Sequence, residues 1–492
     1  MNHMKFVSAY VREQRRYSKK ELKNLFAYDE QEIEQFIRKM KTYGILKTVK
    51  NNTEQLELSD LMDEHIEIAD ETIGNNKVLY VFTYVGVLTY GNRIIKVYPK
   101  YLLSANDPLS EMKQVMKVLE KYNNSQEQII NLFNNDGENL SFNLLPIILF
   151  LLNDYYEYGV YNNSESIIEV NGEGAILWEK TINEGLPFIR DNSPYYIELY
   201  TEKTIDDDMD FFKRLHECIL TECSQQLHNS KLEDLFEMVS VELSEERIED
   251  FGDTEYILDR IQAELSIQFN TRKQILLKTM SIYISHNRKM LDENEGISMY
   301  GTTSFNMVWE KMCSEVFDNQ LRTPLGRLVL PVPLNGYDEK KALIDIIEKP
   351  IWEVEDTTKI SKRTLEPDIV TISQFNGESQ LTILDAKYYN LQLEKEKPLI
   401  GNPGIGDITK QYLYQLAYKK FIELHKFMKV RNCFLMPTEQ SEIIKKGTVS
   451  LAMFKLLEDL KLESIQIRLV PAHMVSEHYL KNKKISIEQL EL

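Results

Sequence analysis

Two carboxylates and one ammonium stand at the ends of two runs that otherwise read as buried strand: Asp368 in "PDIVTI", and Asp385 with Lys387 in "LTILDAKYY". Residues i and i+2 of a strand face the same way, so Asp385 and Lys387 project from one face and Ala386 from the other. If the turn "SQFNGESQ" folds the runs antiparallel, Asp368 meets the far end of the second run, and the polar groups gather at one end of a sheet. Two carboxylates, the Ala386 carbonyl and waters make a hard oxygen site suited to Mg2+, with Mn2+ able to substitute. Such an ion polarises a phosphoryl oxygen and lowers the pKa of its bound water. Lys387 beside it would orient that water or stabilise developing charge.

A further acid is expected from the preceding helix, with Glu310 in "VWEKM" the candidate and Glu315 behind it. On the following helix Gln411 and Gln415 lie one turn apart, as do Tyr414 and Tyr418, and either glutamine could hold a phosphate or a metal-bound water. The expected catalytic set is Asp368, Asp385, Lys387, Glu310 and Gln411; the metal set is Asp368, Asp385, Glu310 and the Ala386 carbonyl. A solvent-facing Asp-Lys pair on an edge strand is the competing account of this motif taken alone. The apolar flanks and the two polar helices weigh against it.

The elements that must position these groups form a C-terminal domain, 298–492. A helix through "SFNMVWEKMCSEVFDN" precedes strand-like runs at "RLVLPVP", "PIWEVE", "PDIVTI" and "LTILDAKYY". A loop with Gly401, Gly404 and Gly406 leads to Asp407 as the cap of "ITKQYLYQLAYKKFIEL", and "VRNCFLMP" and "ESIQIRLVP" supply later strands. This is a small α/β domain with a mixed sheet.

Ahead of it, 1–72 reads as three helices and a hairpin, the winged-helix plan. Ser18 with Glu21 forms a capping box, Asp29 starts a helix bearing Ile33, Phe36, Ile37 and Met40, Gly44 ends it, and strands flank Asn51-Asn52. Arg38, Lys39 and Lys41 on the second helix are placed to reach DNA phosphates; the same helix carries four acids, and docking of a protein is the alternative use. The middle region, 73–297, opens with a hairpin around "YGN", where Lys96, Lys100, Tyr98 and Tyr101 make either a basic-aromatic surface or an ordinary solvated face. It continues mainly as helix, with strands near 172–182 and 193–201, a solvated acidic helix start at 206–210, and a boundary at "HNRKM". The fold class is thus a multidomain α+β protein.

With 492 residues and 43% apolar composition, the chain can bury several cores. Its net charge of −19 argues against coating nucleic acid by bulk charge, although the first fifty residues hold twelve Lys or Arg against six Asp or Glu. No apolar run spans a bilayer and no secretory signal opens the chain, so a cytoplasmic protein without membrane contact is expected. Of four cysteines, Cys218 and Cys223 beside His216 lack a second metal-ligand pair and read as core thiols.

"PDIV…LTILDAKYY" resembles the PD-(D/E)xK nuclease motif, and "DITKQYLYQLAY" is similar to the helix that follows it in many members. With "FTYVGVLTYGNRIIKVYPKYL" far upstream, the whole resembles McrC and LlaJI-type subunits of McrBC-like restriction systems. The resemblance implies that Asp368 and Asp385 bind metal, that Lys387 is catalytic, and that cleavage leaves a 5′-phosphate. It implies an AAA+ GTPase motor as partner; this sequence has no G-x-x-x-x-G-K-[ST] loop, so no nucleotide is expected on this chain itself. The expected function is a Mg2+-dependent DNA endonuclease subunit of a phage-defence system. A double-strand break would need two copies, as in a dimer, or two successive nicks. The alternatives are a non-catalytic DNA-binding adaptor retaining a nuclease-like scaffold, and a stand-alone repair nuclease.

Overall fold

The computed structural model describes residues 7–50, 78–104, 107–123, 144–163, 165–191, 193–205, 209–285, 297–375, 378–451, 460 and 462–492. The chain divides into two compact units, one joining Met1–Leu140 with Tyr300–Leu492, the other Ser141–Met299. The architecture is α+β, with several separate sheets. The second division adjoins the expected start of the C-terminal domain at 298; the expected boundary at 72 lies outside the described residues.

The first unit opens with a strand where a helix was expected. β1 (Val7–Arg12) and β2 (Arg16–Tyr17) precede α1 (Lys19–Phe26) and α2 (Glu30–Thr42), and β3 (Leu46–Lys50) follows. Both helices start at capping boxes, Ser18 with Glu21 and Asp29 with Glu32, which satisfy amides that the first turn leaves open. Ile33, Phe36, Ile37 and Met40 form the buried stripe of α2. The Asn51-Asn52 turn and the second strand expected after it lie outside the described residues.

β4 (Val78–Phe82) sits between β2 and β3 in a small antiparallel sheet. β5 (Val85–Tyr90) and β6 (Arg93–Tyr98) form the expected hairpin, turning at Gly91 with φ +56°. β1 pairs in parallel with β6, a partner some eighty residues away that no local pattern reveals. α3 (Leu109–Asn123) follows. Lys96 and Lys100 are buried, correcting both readings of that hairpin face. Each ammonium is compensated by a ring, Lys96 over Tyr10 at 5.1 Å and Lys100 over Tyr388 at 4.7 Å from the centroids.

The second unit carries the long apolar run as helix α4 (Leu144–Tyr158), buried along most of its length. β7 (Glu165–Val170), β8 (Ala175–Ile176), α5 (Trp178–Glu184), β9 (Pro187–Arg190), β10 (Ser193–Tyr196) and β11 (Tyr200–Ile205) follow, paired as β7-β11-β8 and β9-β10. The strand expected over 172–182 is realised only at β8 before α5 begins. Then come α6 (Phe211–Asn229), α7 (Glu233–Phe236), α8 (Thr254–Ile267) and α9 (Thr271–Ser285). Asp210 caps α6 by accepting the Lys213 N–H at 2.7 Å; residues 206–208 and the boundary segment "HNRKM" lie outside the described residues. Cys218 and Cys223 are free thiols buried in α6, and His216 Nδ1 accepts the Tyr161 N–H at 2.9 Å.

The chain returns to the first unit through β12 (Ile297–Thr302), which joins the β1-β6-β5 sheet beside β5. The two backbones touch: a Cβ on Gly86, whose φ is +142°, would stand 2.3 Å from the Tyr300 carbonyl oxygen, and one on Gly301 would stand 2.2 Å from that of Val85. Only glycine allows this approach. α10 (Phe305–Val316) and the hairpin β13 (Ile351–Val354) and β14 (Thr357–Ile360) precede the principal sheet.

That sheet is mixed. It contains β15 (Ile369–Phe375), β16 (Glu378–Ala386), β17 (Lys429–Thr438), β18 (Ile444–Val449) and β19 (Ile465–Pro471), in the order β15-β16-β17-β19-β18. β16, β17 and β19 run parallel, and both outer strands run antiparallel to their neighbours. Between β16 and β17 lie α11 (Ile405–Ala417) and α12 (Lys419–Leu424), separated at Tyr418; α13 (Ala472–Leu480) follows β19. The expected strand "RLVLPVP" is instead a short 3-10 turn and loop, since Pro331 and Pro333 bring no N–H to a ladder. Its Leu328 and Leu330 pack on the core all the same.

Candidate active site

The β15–β16 register carries Ile369 opposite Leu384, so Asp368 lies just beyond the ladder beside Asp385. Val370, Ile372, Leu381 and Ile383 pack against Tyr414, Tyr418 and Phe421 of the α11–α12 side. By the two-residue period, Asp368, Asp385 and Lys387 face that same side at the end of the apolar layer. α10 packs on β16 as well, and its Trp309 indole N–H points to the Leu435 carbonyl of β17 at 3.4 Å.

Asp368 is held from two directions: its Oδ2 accepts the Ala386 N–H at 3.0 Å, and its carboxyl shares a hydrogen bond with Asp385. Burial, that shared bond, and the charges of Asp385 and Glu310 push its pKa up to about 9, so the Asp368 carboxyl carries a proton at neutral pH in the metal-free protein. Glu310, half-buried on α10, is also raised, by burial first and then by Asp385, while Lys387 opposes the shift. The strand ends and helix α10 thus bring acids to one point.

Lys387 answers them. Its Nζ lies 3.2 Å from Asp385 Oδ1 and 3.2 Å from Asp407 Oδ1. Burial alone would lower its pKa, but Asp385, Asp407 and Asp368 outweigh that and hold it above the usual lysine range. Its own N–H donates to Leu435 at 2.8 Å, continuing the ladder to β17. Asp407 corrects the sequence reading: Gly404 is the N-cap of α11, and Asp407 stands three residues in. Its Oδ2 accepts the Gly404 N–H at 3.3 Å while Oδ1 pairs with Lys387, so one side chain does both jobs. The helix-start pattern was visible in the sequence, but nothing local showed that Lys387 would share it.

Gln411 lies one turn further along α11 and is fully buried. Neither its amide oxygen nor its amide nitrogen has a hydrogen-bond partner among the described residues. Its neighbour Gln415 is engaged, accepting from Asn432 Nδ2 at 3.3 Å. Tyr414, whose hydroxyl donates to the Glu366 carbonyl at 3.0 Å, has its pKa pushed up to about 12 by burial and by Asp385 and Asp368. Glu315 pairs with Lys311 at 3.2 Å. Arg38, Lys39 and Lys41 lie on α2, with Arg38 exposed and Lys41 engaged, and take no part in this group.

The donor chemistry fits a hard divalent cation: four acids, Asp368, Asp385, Glu310 and Asp407, share one lysine. Among the described residues no three His, Cys, Asp or Glu side chains stand together at metal-holding spacing. Two carboxylates and a carbonyl are nevertheless what Mg2+ takes from protein when waters and substrate phosphate supply the rest.

The site is therefore an acid–lysine cluster at the end of a mixed sheet flanked by helices. The sequence profile of the LlaJI restriction endonuclease family matches residues 84–472, and the chain belongs to that family. It is 28% identical over 424 residues, covering 83% of each chain, to the type II restriction enzyme BsuMI component YdjA of Bacillus subtilis strain 168. Two solved structures are more distant. A half-complex of Thermococcus gammatolerans McrB AAA+ hexamers with bound McrC gives 13% identity and a TM-score of 0.35, over 96% of this chain and 99% of that one. The McrBC complex of the same organism gives 12% and 0.25, over 62% and 85%. Superpositions that loose define no shared fold. No helix among the described residues is long and apolar enough to cross a membrane.

Proposed function

We propose that this restriction endonuclease family member is the DNA-cleaving subunit of its system, and that Asp368, Asp385, Lys387, Glu310 and Gln411 form a PD-(D/E)xK site. The observation that carries the reading is Lys387 held between Asp385 and Asp407 beside a second, partly buried acid, Asp368. Asp368, Asp385 and the Ala386 carbonyl would hold Mg2+ or Mn2+, with Glu310 completing the acidic surround. When bound, the ion supplies an activated water and neutralises charge on the phosphate.

The chain's own groups divide the remaining work. Lys387, kept protonated by its acids, is a poor base near neutral pH and a good donor to the phosphate oxygen that gains charge as water attacks. Asp407 and Asp385 fix its direction. Gln411 offers a buried amide with both ends uncommitted, suited to a phosphate or to an ordered water. The phosphorus–oxygen bond to the leaving strand breaks as the water oxygen bonds to phosphorus.

The partner in this proposal is an AAA+ GTPase. Its support is the sequence likeness to McrC and LlaJI-type subunits, together with the lack of a phosphate-binding G-x-x-x-x-G-K-[ST] loop in this sequence. Two capped helices and the β2-β4-β3 sheet support a winged helix at the N-terminus, with Arg38, Lys39 and Lys41 of its second helix as the DNA-contacting residues in this proposal.

Plasmid cleavage in Mg2+ by wild type and by Asp385→Ala, with and without the AAA+ partner and GTP, tests the proposal. Cleavage by wild type alone supports the site, and dependence on partner and GTP supports the pairing. No cleavage by either protein under any condition refutes the nuclease reading, and equal cleavage by both refutes this site.

A further inference from the structure

The β13–β14 hairpin projects from the first unit just ahead of Asp368 in the chain. Its register sets Ile351 opposite Ile360, Trp352 opposite Lys359 and Val354 opposite Thr357. Trp352 and Lys359 therefore stand side by side on one face. Trp352 is 67% exposed, and its indole is oriented by Nε1 donating to the Ser361 hydroxyl at 2.8 Å. A large aromatic held still in solvent is an unusual use of a tryptophan.

The neck of the hairpin is closed by Ser361 N–H to the Pro350 carbonyl at 2.9 Å and by the Thr364 hydroxyl to the Glu348 carbonyl at 2.7 Å. Two residues further on, the Glu366 side chain pairs with Arg322 and its carbonyl accepts the Tyr414 hydroxyl of α11, so the hairpin is rooted beside the acid cluster. Charge is segregated along it. Glu353, Glu355 and Asp356 lie toward the turn, whereas Lys349, Lys359, Lys362 and Arg363 gather at the neck against Glu348 alone. In a chain of net charge −19, these four exposed cations make no ion pair or side-chain hydrogen bond among the described residues.

We propose that this hairpin grips the nucleic acid being cut, with Lys359, Lys362 and Arg363 on backbone phosphates and the Trp352 ring against a base or sugar. Unpaired cations beside a fixed exposed ring match a phosphate backbone carrying apolar base faces. A protein surface would leave the cluster of cations unanswered unless it were itself acidic. That the ligand is the scissile DNA rests on the proposed nuclease function.

The test is fluorescence anisotropy of a labelled DNA duplex with the full-length protein in EDTA, where no cleavage occurs, across a salt series. Each lost phosphate contact lowers the slope of log affinity against log salt by about 0.9. The triple variant Lys359→Ala, Lys362→Ala, Arg363→Ala should therefore lose about 2 to 3 from the slope. Trp352→Leu should weaken binding with the slope unchanged, since it removes no charge; on a labelled single strand, whose base faces are open, the loss should be about five- to a hundredfold. Unaltered melting temperatures will establish that these exposed substitutions leave the fold intact.

Wild-type slope and affinity in the triple variant would overturn the proposal, as would a wild type that does not bind at low salt. Variants that bind DNA normally but fail to bind the AAA+ partner would reassign the hairpin to protein docking. Hairpin-dependent binding by a protein that never cuts would sink the nuclease reading and leave the grip standing.

Discussion

The Tyr388 hydroxyl donates a hydrogen bond to the Glu13 carboxylate at 2.6 Å, joining the residue after Lys387 to the residue after β1. The same carboxylate accepts the Lys100 N–H at 3.2 Å, and Asn390 Nδ2 donates to the Lys100 carbonyl at 2.8 Å. Tyr388 also packs edge-on to Tyr101 and against Phe305. The end of β16 is thus clamped by the N-terminal sheet, so Lys387 is braced by residues far away in sequence. Tyr388→Phe keeps the ring and removes the donor to a buried carboxylate, and should destabilise the protein by about 1.5–3 kcal/mol. Chemical denaturation checks the stability, and cleavage should slow with little change in KM.

Asp407→Asn removes one of the two carboxylates that hold Lys387. The Lys387 pKa should fall, and the alkaline limb of the cleavage rate should move to lower pH. Cleavage itself should drop about 10- to 100-fold, the scale of effect seen when a positioning partner of a site residue is lost. An unchanged pH profile would mean that Asp407 serves only the start of α11.

The metal-free protein should lose stability as pH rises from about 4 to about 9. Asp368 is protonated in the folded state up to about 9 but ionises near the usual carboxylate value when unfolded. Between those values the folded state binds more protons, so unfolding free energy falls with rising pH. Asp368→Asn should flatten that slope. Melting temperatures in EDTA at several pH values read it directly.

Gln411→Met tests a buried amide that has no hydrogen-bond partner among the described residues. A buried polar group without hydrogen bonds costs about 1–3 kcal/mol, so an apolar side chain of similar volume should raise stability. The same variant should lose cleavage if the amide holds a phosphate or water. A lower melting temperature would show that the amide has a structural partner in solution.

How much of this was legible depends on the range of the signal. The capping boxes at Ser18 and Asp29 and the i+2 relation of Asp385 and Lys387 are local, and each was readable from a few residues. β1 was not, because "VSAYVR" becomes a strand only through β6. Lys96 and Lys100 look like surface residues until the rings of Tyr10 and Tyr388 arrive from elsewhere in the chain. β18, "IKKGTV", hid as a polar edge strand interrupted by Gly447, where its pairing with β19 shifts register. Asp407 was seen but given only half its role, since a helix start and a lysine partner ask for the same side chain.

The backbone contact between Gly86 and Gly301 sets an order of events during synthesis. β5 leaves the ribosome long before β12, with the whole of Ser141–Met299 made in between. Until then one edge of β5 stands without its native neighbour, and the nascent chain must be kept from pairing that edge elsewhere. The acids arrive later still, and Tyr388 then finds Glu13 already waiting. A truncated product ending anywhere before β16 lacks Asp385 and Lys387, and so carries no acid–lysine site.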